Sequence, residues 1–479
     1  MVLGPSLAFL PVVAHVAAAV TFNVPAKVNT GGLSYAPVEA APVGLSFEFF
    51  AFPSYFKNVT ATNQCLANFK ALSGTWPPIR IGGTTQDRAS YDPSTSAYVV
   101  YSVANPADAP GTLTFGPNFI KLAATYAGDV TLGLNRGKNN IDNTIAAAKV
   151  AVQEIKNIYA IELGNEPEYW PGAQPIASGS WNPAIDAASQ NNWAITVGNA
   201  IGKKTIIQAG NSNSLPPQWG AEELIASGNA TVREYVKTYS HHNYPGGSVT
   251  SLMSHANIAK NVQLFDNDIA SALAVKKPYV FGETNSVSGG GAANVSPTFG
   301  AALWVMDYSV RLVASNVSRI YFHHGTIGNN PYSFFGRYSM GNPYVGAYTA
   351  TAFLAGAKHV TALDDGKSAF AAYVAFDASG APLRALLYNS NYFGGSGARN
   401  TESFVLNGVS GTRVRSKRVT AASAEARQDR GGNASIGGQY FNNGTCTTGG
   451  AETFETTTVS DGRATFNVAA SEALLVYLQ

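Results

Sequence analysis

Between about residues 41 and 356, short apolar runs alternate with stretches whose apolar positions recur at helical spacing. The runs are Gly44–Phe50, Pro78–Gly82, Val130–Asn135, Ala160–Gly164, Thr205–Ala209, Thr238–His242, Tyr279–Gly282 and Ser318–His323. Amphipathic stretches such as Ile141–Ile155, Ala221–Val236, Ile258–Ala274 and Phe299–Ala314 lie between them. Strands that alternate with helices run parallel, and eight is the number that closes a barrel. The pattern predicts a (β/α)8 TIM barrel over residues 41–356. Beyond 357 the helical spacing stops. Alternating segments such as Ala369–Phe376, Leu383–Tyr388, Ser403–Leu406 and Ala473–Leu478, separated by Gly, Asn and Ser turns, predict an antiparallel β-sandwich. Residues 20–40 are also strand-like and are expected to join that sandwich. The fold class is therefore α/β, a barrel with an appended, discontinuous sandwich of residues 20–40 plus 357–479.

The chemistry of such a barrel sits just past the C-terminal ends of its strands. Glu48, Arg80, Asn135-Arg136, Asn165-Glu166, Asn211, His241-His242-Asn243-Tyr244, Glu283 and His323-His324 all fall there. In Ile161-Glu162-Leu163-Gly164-Asn165-Glu166-Pro167 an apolar strand delivers Asn165 and Glu166 to its end, and Pro167 stops the ladder. Tyr279-Val280-Phe281-Gly282-Glu283-Thr284-Asn285 ends another buried strand in a carboxylate. Two carboxylates at one barrel mouth are the minimum apparatus of glycoside hydrolysis. One gives a proton to the leaving oxygen, and the other attacks the anomeric carbon. Their environments must split their pKa values. A lone strand-end glutamate has another reading, as a charge capping the next helix.

Composition narrows the partners. Basic residues number 31 and acidic ones 29, a balance that argues against nucleic-acid binding. Charged residues at 13%, against 45% hydrophobic and 11% aromatic, exclude a disordered chain. The 48 glycines, 23 tyrosines and many Asn, Ser and Thr residues suit a loop-rich protein with polar, uncharged surfaces and sugar ligands. The paired histidines lack a His-Glu-x-x-His motif or carboxylate triad, so they read as pocket-lining side chains and no metal is expected. There is no Gly-rich phosphate loop and no Ser-His-Asp signature. No cofactor is required, because two carboxylates and a water complete the reaction. The expected partner is a glycan, bound by a monomer.

The first 19 residues, MVLGPSLAFLPVVAHVAAA, are apolar and end in three alanines, as a signal peptide cleaved near Ala19–Val20 does. A buried N-terminal strand or helix is the other reading. No later segment has the ~20 continuous apolar residues of a membrane span. Asn58, Asn229, Asn294, Asn316, Asn433 and Asn443 begin Asn-x-Ser/Thr sites, which together with a leader favour a glycosylated, secreted, extracellular protein. Two cysteines, Cys65 and Cys446, exclude a disulfide scaffold and a Cys-based zinc site. A bridge between them and two separate thiols both remain open.

The chain resembles the retaining (β/α)8 glycosidases that carry the acid/base on strand 4 and the nucleophile on strand 7. More closely, it is similar to glycoside hydrolase family 79, the β-glucuronidases and heparanase-like enzymes. The residues that carry the likeness are Leu45-Ser46-Phe47-Glu48-Phe49, Ile79-Arg80-Ile81-Gly82-Gly83-Thr84-Thr85-Gln86-Asp87, the Asn-Glu-Pro stretch and Gly282-Glu283-Thr284-Asn285-Ser286. Their order fits, as does the sandwich behind the barrel. The resemblance implies that Glu166 is the acid/base and Glu283 the nucleophile. It implies that Asn165 bonds the sugar 2-hydroxyl and that Tyr244 donates to Glu283, although a rim aromatic remains open for Tyr244. Arg80 either keeps the nucleophile ionised or forms a stabilising inner ion pair. Glu48, and less strongly Asn211, either accept bonds from sugar hydroxyls or serve the barrel.

For the sugar carboxylate, the resemblance implies tyrosine hydroxyls and main-chain N–H groups. Tyr332, in the loop Gly325–Ser333, is the candidate, against a packed loop aromatic. A tyrosine expected shortly after the nucleophile is missing from Ser286-Val287-Ser288-Gly289-Gly290-Gly291, and Arg337 is near enough in sequence to replace it. The expectation is a secreted retaining exo-β-glucuronidase that removes terminal glucuronic acid, or its 4-O-methyl form, from glycans such as arabinogalactan. The rivals are an endo-acting heparanase-like enzyme, a neutral-sugar barrel glycosidase and a non-catalytic carbohydrate-binding protein. The absence of a Lys/Arg cluster disfavours the first, and the paired glutamates disfavour the last.

Overall fold

In the computed structural model, which describes residues 19–479, eight parallel strands close into a barrel. They are β1 (Val43–Glu48), β2 (Ile79–Gly82), β3 (Val130–Leu134), β4 (Ile158–Leu163), β5 (Ile207–Ser212), β6 (Val236–Asn243), β7 (Tyr279–Thr284) and β8 (Val317–His324). Neighbours follow chain order, and β8 pairs back onto β1 from Ile320↔Val43 to His324↔Phe47. The leader expected over residues 1–19 lies outside the described residues, apart from Ala19. No described helix is long and apolar enough to cross a membrane.

The helices differ in detail from the periodicity. Ala221–Val236 divides into Ala221–Ser227 and Ala230–Tyr235, because the Asn229 side chain accepts the Val232 N–H and caps a new helix. Ile258–Ala274 divides into His255–Gln263 and Asp266–Ala274. A small sheet of Ala89–Tyr91, Leu113–Phe115 and Val99–Tyr101, not expected from the sequence, rises between β2 and β3.

Apart from a two-stranded sheet of Tyr440–Phe441 and Thr448–Gly449, the remaining strands form one hydrogen-bonded path folded into two layers, with Ser435–Ile436 paired beside it. Glu455–Ser460 pairs with Arg413–Thr420 in one layer and with Arg463–Ala469 in the other. The N-terminal Val20–Asn23 joins through a parallel pairing to Thr401–Asn407, so the sandwich is not antiparallel throughout. Ala36–Pro37 pairs with His359–Ala362 at the opposite end. Alternation along Phe370–Phe376 shows how the layers are filled. Ala372, Val374 and Phe376 enter the sandwich core with Phe404, Leu406, Phe466 and Val476, whereas Ala371, Tyr373 and Ala375 join the barrel's core.

The sandwich is bolted to the barrel by the nearly wholly buried helix Phe299–Ala314. Helix Pro343–Leu354 approaches it so closely that a Cβ at Gly346 would lie 1.9 Å from the Ala302 carbonyl oxygen. Between the domains, the buried His255 bonds Asp307 through Nδ1 (2.7 Å) and Asp364 through Nε2 (2.8 Å). Cys65 and Cys446 are disulfide-bonded, so the reading as two separate thiols is corrected. The helix Ala61–Ser73 and the loop around Cys446 meet across that boundary, which no count of intervening residues reveals.

Candidate active site

The ends of β1, β4, β6, β7 and β8 bring Glu48, Glu166, His242, Tyr244, Glu283 and His323 together. At the end of β4, Gly164 (φ 82°) and Glu166 (φ 51°) take left-handed conformations that turn the chain sharply. Such a conformation is costly for glutamate and persists where its surroundings impose it. Here the Glu166 N–H donates to the Asn211 carbonyl (2.9 Å) and Pro167 opens a short 3-10 turn. Asp87 ties three strand ends together. It accepts N–H bonds from Arg136 and Gly137 (2.9 Å each) and from Asn165 (2.6 Å).

The two expected catalytic glutamates face one another. One oxygen of each lies within 4.8 Å of the other and of a His242 ring nitrogen. Both Glu283 oxygens have partners. The Tyr244 hydroxyl donates to Oε1 (2.5 Å), and Arg80 Nη1 donates to Oε2 (2.5 Å). His323 Nδ1 lies 3.5 Å from the same Oε2. Burial alone would raise Glu283, but His323 and Arg80 beside it outweigh that and bring it down to about 2. Glu166 has no comparable cation. Burial, then the negative charges of Glu283 and Glu168, hold its carboxyl well above the usual range. Its one ring partner is His242, whose Nδ1 lies 3.1 Å from Oε1 and which burial pushes well below its ordinary pKa. One carboxyl is thus set to stay protonated while its neighbour stays charged. Glu166, Glu283 and His242 are also a possible metal-ligand trio by distance. The Arg80 guanidinium already occupies the cationic place beside Glu283.

The other expected residues divide into two groups. Glu48 is nearly buried, and accepts the Thr85 N–H (2.9 Å) and hydroxyl (2.5 Å) on Oε1 while Oε2 meets His323 Nε2 (3.2 Å). Gly83 (φ 95°) makes room for it, since a Cβ there would lie 2.6 Å from Glu48 Oε2. Asn165 gives its Oδ1 to Arg80 Nη2 (2.8 Å), which leaves its amide N–H groups to the pocket. Tyr332 packs near Tyr244 and His323, with ring centroids 6.2 and 6.1 Å away. Burial, then Glu283 and Glu48, keep its hydroxyl protonated. Arg80 and Asn211, by contrast, are fully buried and cannot touch a sugar from their places. Arg80 lies against Glu283 and Glu162, in keeping with both readings given for it, an ionising cation and an inner ion pair, and neither it nor Asn211, which meets the Glu166 backbone, is placed to bind sugar. Arg337 is exposed, and among the described residues no ion pair or hydrogen bond ties it to the pocket. Two of the four strand-end histidines also turn away. His241 meets the Ser214 carbonyl (2.9 Å), and His324 receives the Phe334 N–H (3.1 Å). Consecutive strand residues point to opposite faces, so only one of each pair can enter the pocket.

Sequence reasoning missed three carboxylates. Asp87 is the hub already described. Glu168 lies just beyond Glu166, accepts the Asn213 N–H and is raised by burial to about 7. Glu162 lies on β4 beneath the pair and is wholly buried against Arg80. Its signal was a charged residue inside an apolar strand.

Residues 372–475 match the glycosyl hydrolase family 79 C-terminal beta domain. The chain is 32% identical over 397 residues to a beta-glucuronidase of Aspergillus niger, covering 71% of this chain and 70% of that one. It is 29% identical over 333 residues to a beta-glucuronidase of Neurospora crassa, covering 60% and 58%. Among solved structures, a 4-O-alpha-L-rhamnosyl-beta-D-glucuronidase from Fusarium oxysporum 12S, in complex with Rha-GlcA, superposes with a TM-score of 0.93. It shares 49% identity, over 96% of this chain and 100% of that chain.

Proposed function

The chain belongs to glycoside hydrolase family 79, and on that premise we propose that it is a secreted, retaining exo-β-glucuronidase. The observation that carries this reading is the facing pair, Glu166 held protonated and Glu283 held charged, with oxygens within 4.8 Å. Retaining glycosidases keep the two carboxyl groups about 5–5.5 Å apart, whereas inverting ones leave room for a water between them. Glu283 attacks the anomeric carbon as Glu166 protonates the departing oxygen. Water then takes the place of that oxygen, Glu166 accepts its proton, and the sugar leaves with its configuration unchanged. Asn165 donates to the 2-hydroxyl, a contact that tightens as charge develops on the ring. Tyr332 donates to the sugar carboxylate, and Glu48 accepts from a hydroxyl.

The exo mode is favoured by enclosure. Asn165, Glu283, Tyr332 and Glu48 are all at most 8% exposed, as suits one terminal residue rather than a chain passing through. Secretion is supported by the disulfide, which persists in oxidising compartments. Asn58, Asn229, Asn294, Asn433 and Asn443 are exposed and Asn316 is half-buried, so sugar attachment meets little obstruction at the first five. The likeness to the Fusarium oxysporum enzyme favours a second reading of the substrate, in which the glucuronate carries a 4-O substituent such as rhamnose.

The test is hydrolysis of aryl β-glucuronide, glucoside, galactoside and xyloside, and of a 4-O-rhamnosyl glucuronide, by the wild type and Glu283→Gln. Selective release from a glucuronide, lost in the variant, is expected. Preference for a neutral glycoside would overturn the substrate. Release with inverted configuration would overturn the mechanism.

A further inference from the structure

Arg80 is fully buried and has five N–H donors. All five are engaged. Nε and Nη2 grip Glu162 as a fork, at 2.9 Å to Oε2 and 2.5 Å to Oε1. Nη2 also donates to Asn165 Oδ1 (2.8 Å). Nη1 donates to Glu283 Oε2 (2.5 Å) and to Ser46 Oγ (3.1 Å). On its other side, Glu162 accepts from Gln208 Nε2 (2.7 Å). The floor is shaped for this one pose, since a Cβ at Gly82 would lie 2.7 Å from Arg80 Cζ.

One buried cation therefore stands between two carboxylates, and only Glu283 lies on the reaction path. The arrangement matters when charge is followed through the cycle. As a Glu283 oxygen bonds the anomeric carbon, the bond to the leaving oxygen breaks and that oxygen takes the Glu166 proton. Glu283 is now an uncharged ester. Had it been the sole partner of Arg80, the step would strand a buried guanidinium, which is strongly unfavourable. Other ionisable groups face the cluster: Glu48 at the end of β1, Glu166 beyond β4, His242 and Tyr244 at the end of β6, and His323 on β8. None of them bonds Arg80, so none can take the place of Glu162.

We propose that Glu162 is a positioning residue that keeps Arg80 ion-paired throughout the covalent glycosyl-enzyme state. It holds the guanidinium still while Glu283 loses and regains its charge. When water attacks the anomeric carbon and gives its proton to Glu166, the freed Glu283 carboxylate meets Arg80 where it left it. The inference rests on the retaining reading above.

Pre-steady-state kinetics on dinitrophenyl β-glucuronide separate formation of the intermediate, seen as a burst of the phenol, from its breakdown. Glu162→Gln is expected to slow formation about 100-fold while breakdown is unchanged or faster. A merely structural loss slows both by the same factor, or lowers only the number of competent sites, which the burst amplitude counts. Glu162→Asp keeps the charge and guards against misfolding of the first variant. Its ratio of the two rate constants is expected to stay within about threefold of wild type. A wild-type burst with both steps slowed equally in Glu162→Gln overturns this inference alone, as does a ratio shifted about tenfold in Glu162→Asp. A wild type that gives inverted product and no burst overturns the retaining reading and this inference with it.

Discussion

Replacing Tyr244 with Phe removes one oxygen atom and tests how Glu283, the proposed nucleophile, is kept charged. The hydroxyl donates to Glu283 Oε1 at 2.5 Å, on the side of the carboxylate opposite Arg80. A hydrogen bond to a charged acceptor contributes about 1.5–3 kcal/mol, and one pKa unit corresponds to about 1.4 kcal/mol. Loss of the bond therefore raises Glu283 by about 1–2 units, from about 2 to roughly 3–4. Glu283 must be charged to attack, so activity is lost as pH falls through its pKa. The acid limb of kcat/KM in Tyr244→Phe moves up by the same 1–2 units or so, while the basic limb, set by Glu166, moves little. The plateau also falls, by up to about 100-fold, because the carboxylate is less firmly aimed. The assay is initial-rate hydrolysis of an aryl β-glucuronide from about pH 2 to 8. Stability follows with the same sign. The depressed pKa of Glu283 contributes stability present above its unfolded value and lost as pH falls through about 2, and the variant has less of it. An acid limb that stays in place, or that moves down, would refute the reasoning. Tyr244 would then orient the nucleophile without stabilising its charge.

Three further substitutions probe other parts of the molecule. Glu166→Gln is expected to lower kcat/KM for substrates with poor leaving groups about 10²–10⁴-fold and to abolish the basic limb, because in the proposed mechanism Glu166 works protonated and its raised pKa sets where activity falls as pH rises. The check is the pH profile of a methyl-substituted phenyl glucuronide. Gly83→Ala is expected to lower activity at least tenfold with a smaller loss of stability, since its Cβ would strike Glu48 at a left-handed backbone position. Paired kinetic and thermal measurements distinguish the two effects. His255→Gln is expected to cost about 3–5 kcal/mol by leaving the buried Asp307 without its cation and Asp364 with Arg311 alone, 3.4 Å away. His255 is raised to about 10 in the fold, so its contribution is fully present below an unfolded value of about 6.5 and is lost as pH rises through about 10. Denaturation midpoints taken across that window should fall in the wild type and stay nearly flat in the variant.

The sequence by itself determined the barrel, its companion sandwich and the identity of the facing pair. Apolar runs spaced by amphipathic helices admit little else, and a glutamate at the end of the fourth and of the seventh run must meet its counterpart once the barrel closes. These are consequences of local pattern. What only the tertiary structure decided depends on neighbours far apart along the chain. Arg80, read either as a cation beside the nucleophile or as an inner ion pair, is both, because β2 turns it inward between β4 and β7, where it meets Glu162 and Glu283 at once. Asn211 supports Glu166 through a main-chain carbonyl, a group common to every residue and so invisible in a sequence. The His241-His242 and His323-His324 pairs each divide between the pocket and the buried layer packed around the barrel, and which member enters depends on the phase of strand pairing. Glu162 shows the same limit most sharply. Its burial was legible from the apolar residues on either side of it, but its partner was not. The low polarity that makes an ion pair there consequential arises only when eight strands close around it.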